Sequence, residues 1–164
     1  MARKLLLVDA NSLIHRAFHA LPRLTSTDGQ PTGAAFGLTQ MLLVLLQDQE
    51  PDEVAMVFDA PGGTFRHQLY GEYKANRPEM DEELSAQYPI IHQIMDLLGL
   101  RMLEKPGYEA DDIIGTLADR GVREGYEVTI VTGDGDLLQL VRDGVRVLVT
   151  TRGITQTTEY DRER

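Results

Sequence analysis

Apolar and polar residues follow two rhythms along this chain. Short continuous apolar runs recur at Lys4–Val8 ("KLLLV"), Val54–Phe58 ("VAMVF"), Leu100–Glu104 ("LRMLE"), Glu127–Thr132 ("EVTIVT") and Val145–Val149 ("VRVLV"). Runs this short and this rich in Val, Leu and Ile read as strands buried on both faces of a sheet. Between them, apolar residues return at spacings of three and four. Ser12–Ala20 suits a helix, and Phe36, Met41, Leu42, Leu45 and Leu46 mark a second, largely buried one. From Asp81, the series Leu84, Tyr88, Ile91, Met95 and Leu98 predicts a long helix that Gly99 closes. The Pro106-Gly107 turn leads into another helix with Ile113, Ile114, Leu117, Ala118 and Val122 on its apolar face, and "DLLQLV" reads as a short one. Strands alternating with helices in this way predict an α/β fold: three layers, with a mostly parallel central sheet covered by helices on both faces.

No repeat, linker or low-complexity tract divides the chain, so one domain is expected over residues 1–164. The closing "TEYDRER" reads as the start of a helix that is then cut off, which suggests a piece of a longer protein. The longest apolar stretch, "MLLVLL", stops at Gln47, far short of the roughly 20 residues that span a bilayer. A membrane partner is therefore not expected. The opening "MARKLLLVDANS" only faintly imitates a signal peptide, because Asp9 and Asn11 interrupt it, and a cytoplasmic location is expected. The absence of cysteine excludes disulfides and thiolate metal sites.

Charge changes the picture. With 26 acidic against 16 basic residues the formal charge is −10, which by itself speaks against non-specific nucleic-acid binding. The placement of the acids matters more. Asp9 follows the first strand, Asp59 the second, and Asp134 with Asp136 the fourth; Glu109, Asp111 and Asp112 open the helix after the Pro-Gly turn. In open α/β sheets ligands gather at the carboxyl ends of the strands, so parallel strands would bring these acids to one edge. A helix N-terminus favours one carboxylate by ~0.3–1 kcal/mol and does not account for three. Hard divalent cations such as Mg²⁺ or Mn²⁺ relieve the repulsion of converging carboxylates. The plainer alternative is that Asp9 and Asp134 cap the helices that follow them.

One strip runs against the acidic trend. "FRHQLYGEYKANRP" gathers Arg66, His67, Lys74 and Arg77 with Tyr70 and Tyr73, and Arg16 and Arg23 can add to it. Basic residues interleaved with aromatics serve single-stranded nucleic acid, charge for phosphates and rings for bases. A solvated loop with extended basic side chains is the competing reading.

The blocks "DANSLIHRAFHALP", "PTGAAFGLTQML", "FDAPGGTFRHQLYGEYKANRPEM", "LLGL", "PGYEADDIIGTLA" and "TGDGDLLQLV" occur in this order and together resemble the 5′-nuclease domain family of bacterial DNA polymerases I. That family belongs to the flap-endonuclease superfamily and is related to PIN-type nucleases. The resemblance implies a metal-dependent 5′-3′ exonuclease and 5′-flap endonuclease acting on DNA in replication and repair. It implies that Asp9, Asp59, Glu109 and Asp111 organise a first metal. Asp134 and Asp136 would be directed toward a second, with Asp111 between the two and Asp112 beside them. Arg16 and Arg66 would contact substrate near the site. Tyr73, Lys74 and Arg77, within an arch segment at 64–80, would receive the 5′ strand. Lys74 would approach the scissile phosphate and Tyr73 would stack on an unpaired base, so that Lys74 and Arg77 join Asp9 and Asp111 in catalysis. The resemblance also implies a polymerase domain in the same polypeptide if the chain is a fragment.

The family pattern continues beyond this chain with a second aspartate pair and a helix–hairpin–helix. Without them a weaker nuclease with an incomplete second site is expected. Gly135 stands between Asp134 and Asp136 where the family usually carries a basic residue. Two other readings fit the same acids: a compact PIN-like ribonuclease, and a folded core without catalysis.

Overall fold

The computed structural model describes residues 2–20, 24–60, 82–152 and 156–161. Strand β1 (Lys4–Asp9) runs directly into helix α1 (Ala10–Ala20), followed by α2 (Gly33–Gln49), β2 (Glu53–Val57), α3 (Glu82–Ser85) and α4 (Tyr88–Leu97). Then come β3 (Arg101–Leu103), α5 (Ala110–Arg123), β4 (Glu127–Thr132), a 3₁₀ helix (Gly135–Leu140), β5 (Val145–Arg152) and β6 (Gln156–Tyr160). The strands form one sheet in the order β3-β2-β1-β4-β5-β6. All neighbours are parallel except β5 and β6. The chain builds outward from β1 to β3 and then returns to β1's other side with β4. That reversal makes the carboxyl end of β1 a switch point, where α/β folds leave a crevice.

Alternation along each strand supplies both faces of the sheet. Leu6, Val8, Met56, Val131 and Leu148 pack with Leu13 and Ile14 of α1, Leu38 and Leu42 of α2, and Ile91 of α4. Leu7, Val57, Val128, Ile130 and Val147 turn the other way, onto Ala110, Ile114 and Ala118 of α5. Each buried Val, Leu, Ile or Met side chain among these contributes about 1.5–3 kcal/mol. Helix α5 lies close to the sheet at Gly121, where an added Cβ would sit 3.0 Å from both Leu5 Cδ2 and Val128 Cγ2. Among the described residues no helix is long and apolar enough to cross a membrane.

Several local expectations are corrected. The helix expected from Asp81 is two pieces, separated at Ala86 and Gln87. Pro89 has no N–H to continue the ladder, and Gln87 is drawn inward instead, donating to Glu83 O at 3.1 Å and accepting from Ala35 N at 3.0 Å. "TEYDRER" does not begin a helix: Gln156–Tyr160 is a strand, paired antiparallel with β5. Phe36 is 49% exposed, because α2 packs through Ala34, Ala35, Leu38, Met41, Leu42 and Leu45 on its other side. "DLLQLV" is the short helix expected, of the 3₁₀ type over Gly135–Leu140, whereas β3 is shorter than read.

A candidate metal centre at the carboxyl edge of the sheet

The site begins with Asp9, the last residue of β1, which is 5% exposed. Val8 pairs with Val131 in the parallel register, so the next residues, Asp9 and Thr132, stand side by side. Thr132 Oγ1 donates to Asp9 Oδ2 at 2.8 Å and accepts from Asp134 N at 3.0 Å. Ser12, in the first turn of α1, donates to the Asp9 carbonyl at 3.1 Å and accepts from Gly133 N at 2.9 Å. A Cβ at Gly133 would fall 3.2 Å from the Ser12 carbonyl oxygen and 3.6 Å from Arg16 Cβ. Glycine thus lets the loop after β4 press against α1, and Arg16 is brought beside that loop.

Asp59 lies two residues past β2 and is tied at both ends. Its N–H donates to Asn11 Oδ1 at 2.8 Å, and Asn11 Nδ2 donates to Tyr88 Oη at 3.0 Å. Its Oδ1 accepts from Ala110 N, the first N–H of α5, at 2.6 Å. Glu109 is the N-cap of α5 and forms a capping box with Asp112, whose Oδ2 accepts from Glu109 N at 3.0 Å. The same helix start leaves Asp111 turned toward the other carboxylates.

Electrostatics register the convergence. Burial pushes the Asp111 carboxyl up to about 7, and the charges of Asp9, Glu109, Asp59 and Asp134 add to the rise. Burial likewise raises Asp9, opposed by the Thr132 and Ser12 hydroxyls and reinforced by Asp59 and Asp134. Burial chiefly, with some help from the Asp59 charge, raises Tyr88 to about 12. None of the ion pairs among the described residues falls on Asp9, Asp59, Asp111, Asp134 or Asp136. They join Arg3 to Glu53, Arg120 to Glu124, Arg123 and Arg142 to Asp119, and Arg146 to Glu159.

The structure therefore brings Asp9, Asp59, Glu109, Asp111 and Asp134 within electrostatic reach of one another. As they stand, no three acidic or histidine side chains among the described residues are grouped closely enough to hold a metal ion. Asp9, Asp59 and Asp134 are each turned onto hydrogen-bond donors of their own. Asp134 caps the 3₁₀ helix by accepting from Asp136 N at 3.0 Å, while Asp112 is engaged in the capping box. Asp136 is exposed. The donor set remains the all-oxygen, net-negative kind that suits a hard divalent cation. Arg66, Tyr73, Lys74 and Arg77, with the arch segment at 64–80, lie outside the described residues. Sequence reading overlooked Thr132, Ser12 and Asn11. Neutral hydroxyl and amide side chains carry no charge pattern, and only their place at strand ends could have singled them out.

A family model described as the 5′-3′ exonuclease N-terminal resolvase-like domain matches residues 4–164. The chain belongs to this family. DNA polymerase I of Mycobacterium tuberculosis is 45% identical over 161 residues, covering 97% of this chain and 18% of the relative. A 5′-3′ exonuclease of Aquifex aeolicus is 42% identical over 146 residues, covering 89% of this chain and 50% of the relative. The chain thus spans half or less of these relatives. Among solved structures, T5 D15 protein co-crystallised with metal ions has a TM-score of 0.74 at 21% identity, covering 97% of this chain and 58% of that one. This likeness shows that the chain shares the fold of that protein, in keeping with the mostly parallel α/β architecture read from the sequence.

Proposed function

We propose that this domain hydrolyses phosphodiester bonds of DNA in a divalent-cation-dependent way, acting on 5′ ends and 5′ flaps. The observation that carries the reading is the convergence of Asp9, Asp59, Glu109, Asp111 and Asp134 at the switch point, with Asp111 raised to about 7. The family membership, the DNA polymerase I and 5′-3′ exonuclease relatives, and a fold neighbour solved as a flap endonuclease complex with DNA and metal ions support it. In this reading Asp9, Asp59, Glu109 and Asp111 hold one Mg²⁺ or Mn²⁺, with Asp134 and Asp136 directed to a second. When bound, such ions lower the pKa of water and offset charge on the phosphate oxygens. The protein's own part is positioning: Thr132 holds Asp9, Ala110 N holds Asp59, and the capping box sets the first turn of α5. Arg16, beside the Asp134 loop, offers positive charge to an approaching phosphate.

The test is cleavage of a 5′-flap DNA and of linear RNA with Mg²⁺, Mn²⁺ or EDTA, for the wild type and Asp111→Asn. Flap cleavage should need the cation and fall about a thousandfold or more in the variant, as loss of several kcal/mol of charge stabilisation implies. Cleavage that survives EDTA, or that Asp111→Asn leaves intact, would overturn the reading. Preference for RNA would replace DNA with an RNA substrate.

A further inference from the structure

We propose that Thr132 is a positioning residue for the metal centre: its hydroxyl locks Asp9 to the Asp134 loop, so that the carboxylates closing two adjacent strands are presented together. The proposal rests on the metal-dependent reading above and adds a residue to it. Thr132 is fully buried at the end of β4, beside Asp9 at the end of β1. Its hydrogen bonds have a fixed direction. A carboxylate only accepts, so the single Thr132 proton goes to Asp9 Oδ2 at 2.8 Å. The oxygen is then left as an acceptor, and it receives the backbone N–H of Asp134 at 3.0 Å. Ser12 Oγ of α1 lies 3.2 Å from the same hydroxyl. One buried atom therefore sets both the side chain of Asp9 and the backbone from which Asp134 projects. A valine has the same shape and the same strand preference but can do neither. A serine can do both.

The arrangement is that of an outer-shell group which orients ligands, where removal typically lowers metal affinity or activity about 10–100-fold. The test titrates Mn²⁺ against the wild type, Thr132→Val, Thr132→Ser and Asp9→Asn, reading the rise in melting temperature, and measures kcat and KM for flap cleavage. For Thr132→Val, half-maximal stabilisation should need about 10–100-fold more Mn²⁺, and kcat should fall with KM for DNA nearly unchanged. Thr132→Ser should restore both. A packing role alone would lower the cation-free melting temperature without moving the Mn²⁺ midpoint, and serine would not rescue it. If Thr132→Val does not fold, Thr132→Ala carries the same comparison. A wild type with no Asp9-dependent Mn²⁺ response overturns the metal reading and this proposal with it. An Asp9-dependent response that the valine or alanine variant keeps, or that serine fails to restore, overturns this proposal alone.

Discussion

Asp9 and Asp134 follow adjacent parallel strands, yet their surroundings are opposite. Asp9 is 5% exposed and held by a buried hydroxyl, whereas Asp134 is exposed and caps its own 3₁₀ helix. The difference runs through the whole site. Asp9 and Glu109 are buried and Asp111 half-buried where the sheet and α5 meet, and burial raises the carboxyls of Asp9 and Asp111. Asp134 and Asp136 lie exposed on a short segment. The buried half is held by hydrogen bonds between separate elements, and the exposed half by a hydrogen bond within its own turn.

The strongest way to break this comparison is through pH. The Asp111 carboxyl titrates at about 7 in the folded chain against an ordinary 3.8. Below the ordinary value both folded and unfolded states hold the proton. Between the two values only the folded state does, so stability falls as pH rises through this window and levels off above it. Asp111→Asn should therefore be more stable than the cation-free wild type at pH 7, by about 1–3 kcal/mol, solvent screening keeping it below the full ~1.4 kcal/mol per unit. The gap should close toward pH 4, and Mg²⁺ should reverse the order at pH 7. Urea melts of both proteins across this range give the answer; a gap independent of pH would mean that Asp111 does not sit half-buried among like charges.

A smaller effect separates the neighbours Asp111 and Asp112. Asp112 accepts from Glu109 N at 3.0 Å as half of a capping box, so Asp112→Ala should destabilise the chain by about 0.5–2 kcal/mol at any pH above the carboxylate range. Its Mg²⁺-induced rise in melting temperature should stay close to that of the wild type. Loss of that response, as deep as in Asp9→Asn, would make Asp112 a ligand instead of a cap.

The same division explains what could be read from the amino-acid sequence. Buried parallel strands announce themselves as apolar runs, and carboxylates directly after them have few other reasons to recur at three strand ends. The layers and the gathering of Asp9, Asp59 and Asp134 at one sheet edge were legible for that reason, and Glu109 and Asp111 from the acidic helix start; the strand order, and with it the switch point, was not. Neither was strand β6. Its Thr157, Thr158 and Glu159 resemble a helix start locally, and only pairing with β5 makes them a strand. The break before α4 depends on Gln87 reaching Ala35 across the core, a contact no local pattern encodes. Thr132 was passed over because a hydroxyl at the end of "EVTIVT" looks like any β-branched strand residue until Asp9 stands beside it.

The finest test concerns Gly135, which stands between Asp134 and Asp136 and, as glycine, has the least restricted backbone of any residue. Gly135 opens the 3₁₀ helix without the positive φ seen at Gly29, Gly99, Gly107, Gly125 and Gly144. A Cβ placed there would lie 3.7 Å from Leu138 Cδ1, an ordinary contact. Nothing in the fold demands glycine at this position, so its cost falls on the unfolded side, where it leaves more conformations to be given up on folding. Gly135→Ala should therefore raise stability by about 0.4–1 kcal/mol in urea melts without cation. Because Asp134 already caps the segment through Asp136 N, the variant should also leave the Mn²⁺ midpoint near its wild-type value. A loss of stability would show that this segment is packed as tightly as the buried half, and a sharp gain in Mn²⁺ affinity would show that backbone freedom, more than exposure, is what sets Asp134 and Asp136 apart from Asp9.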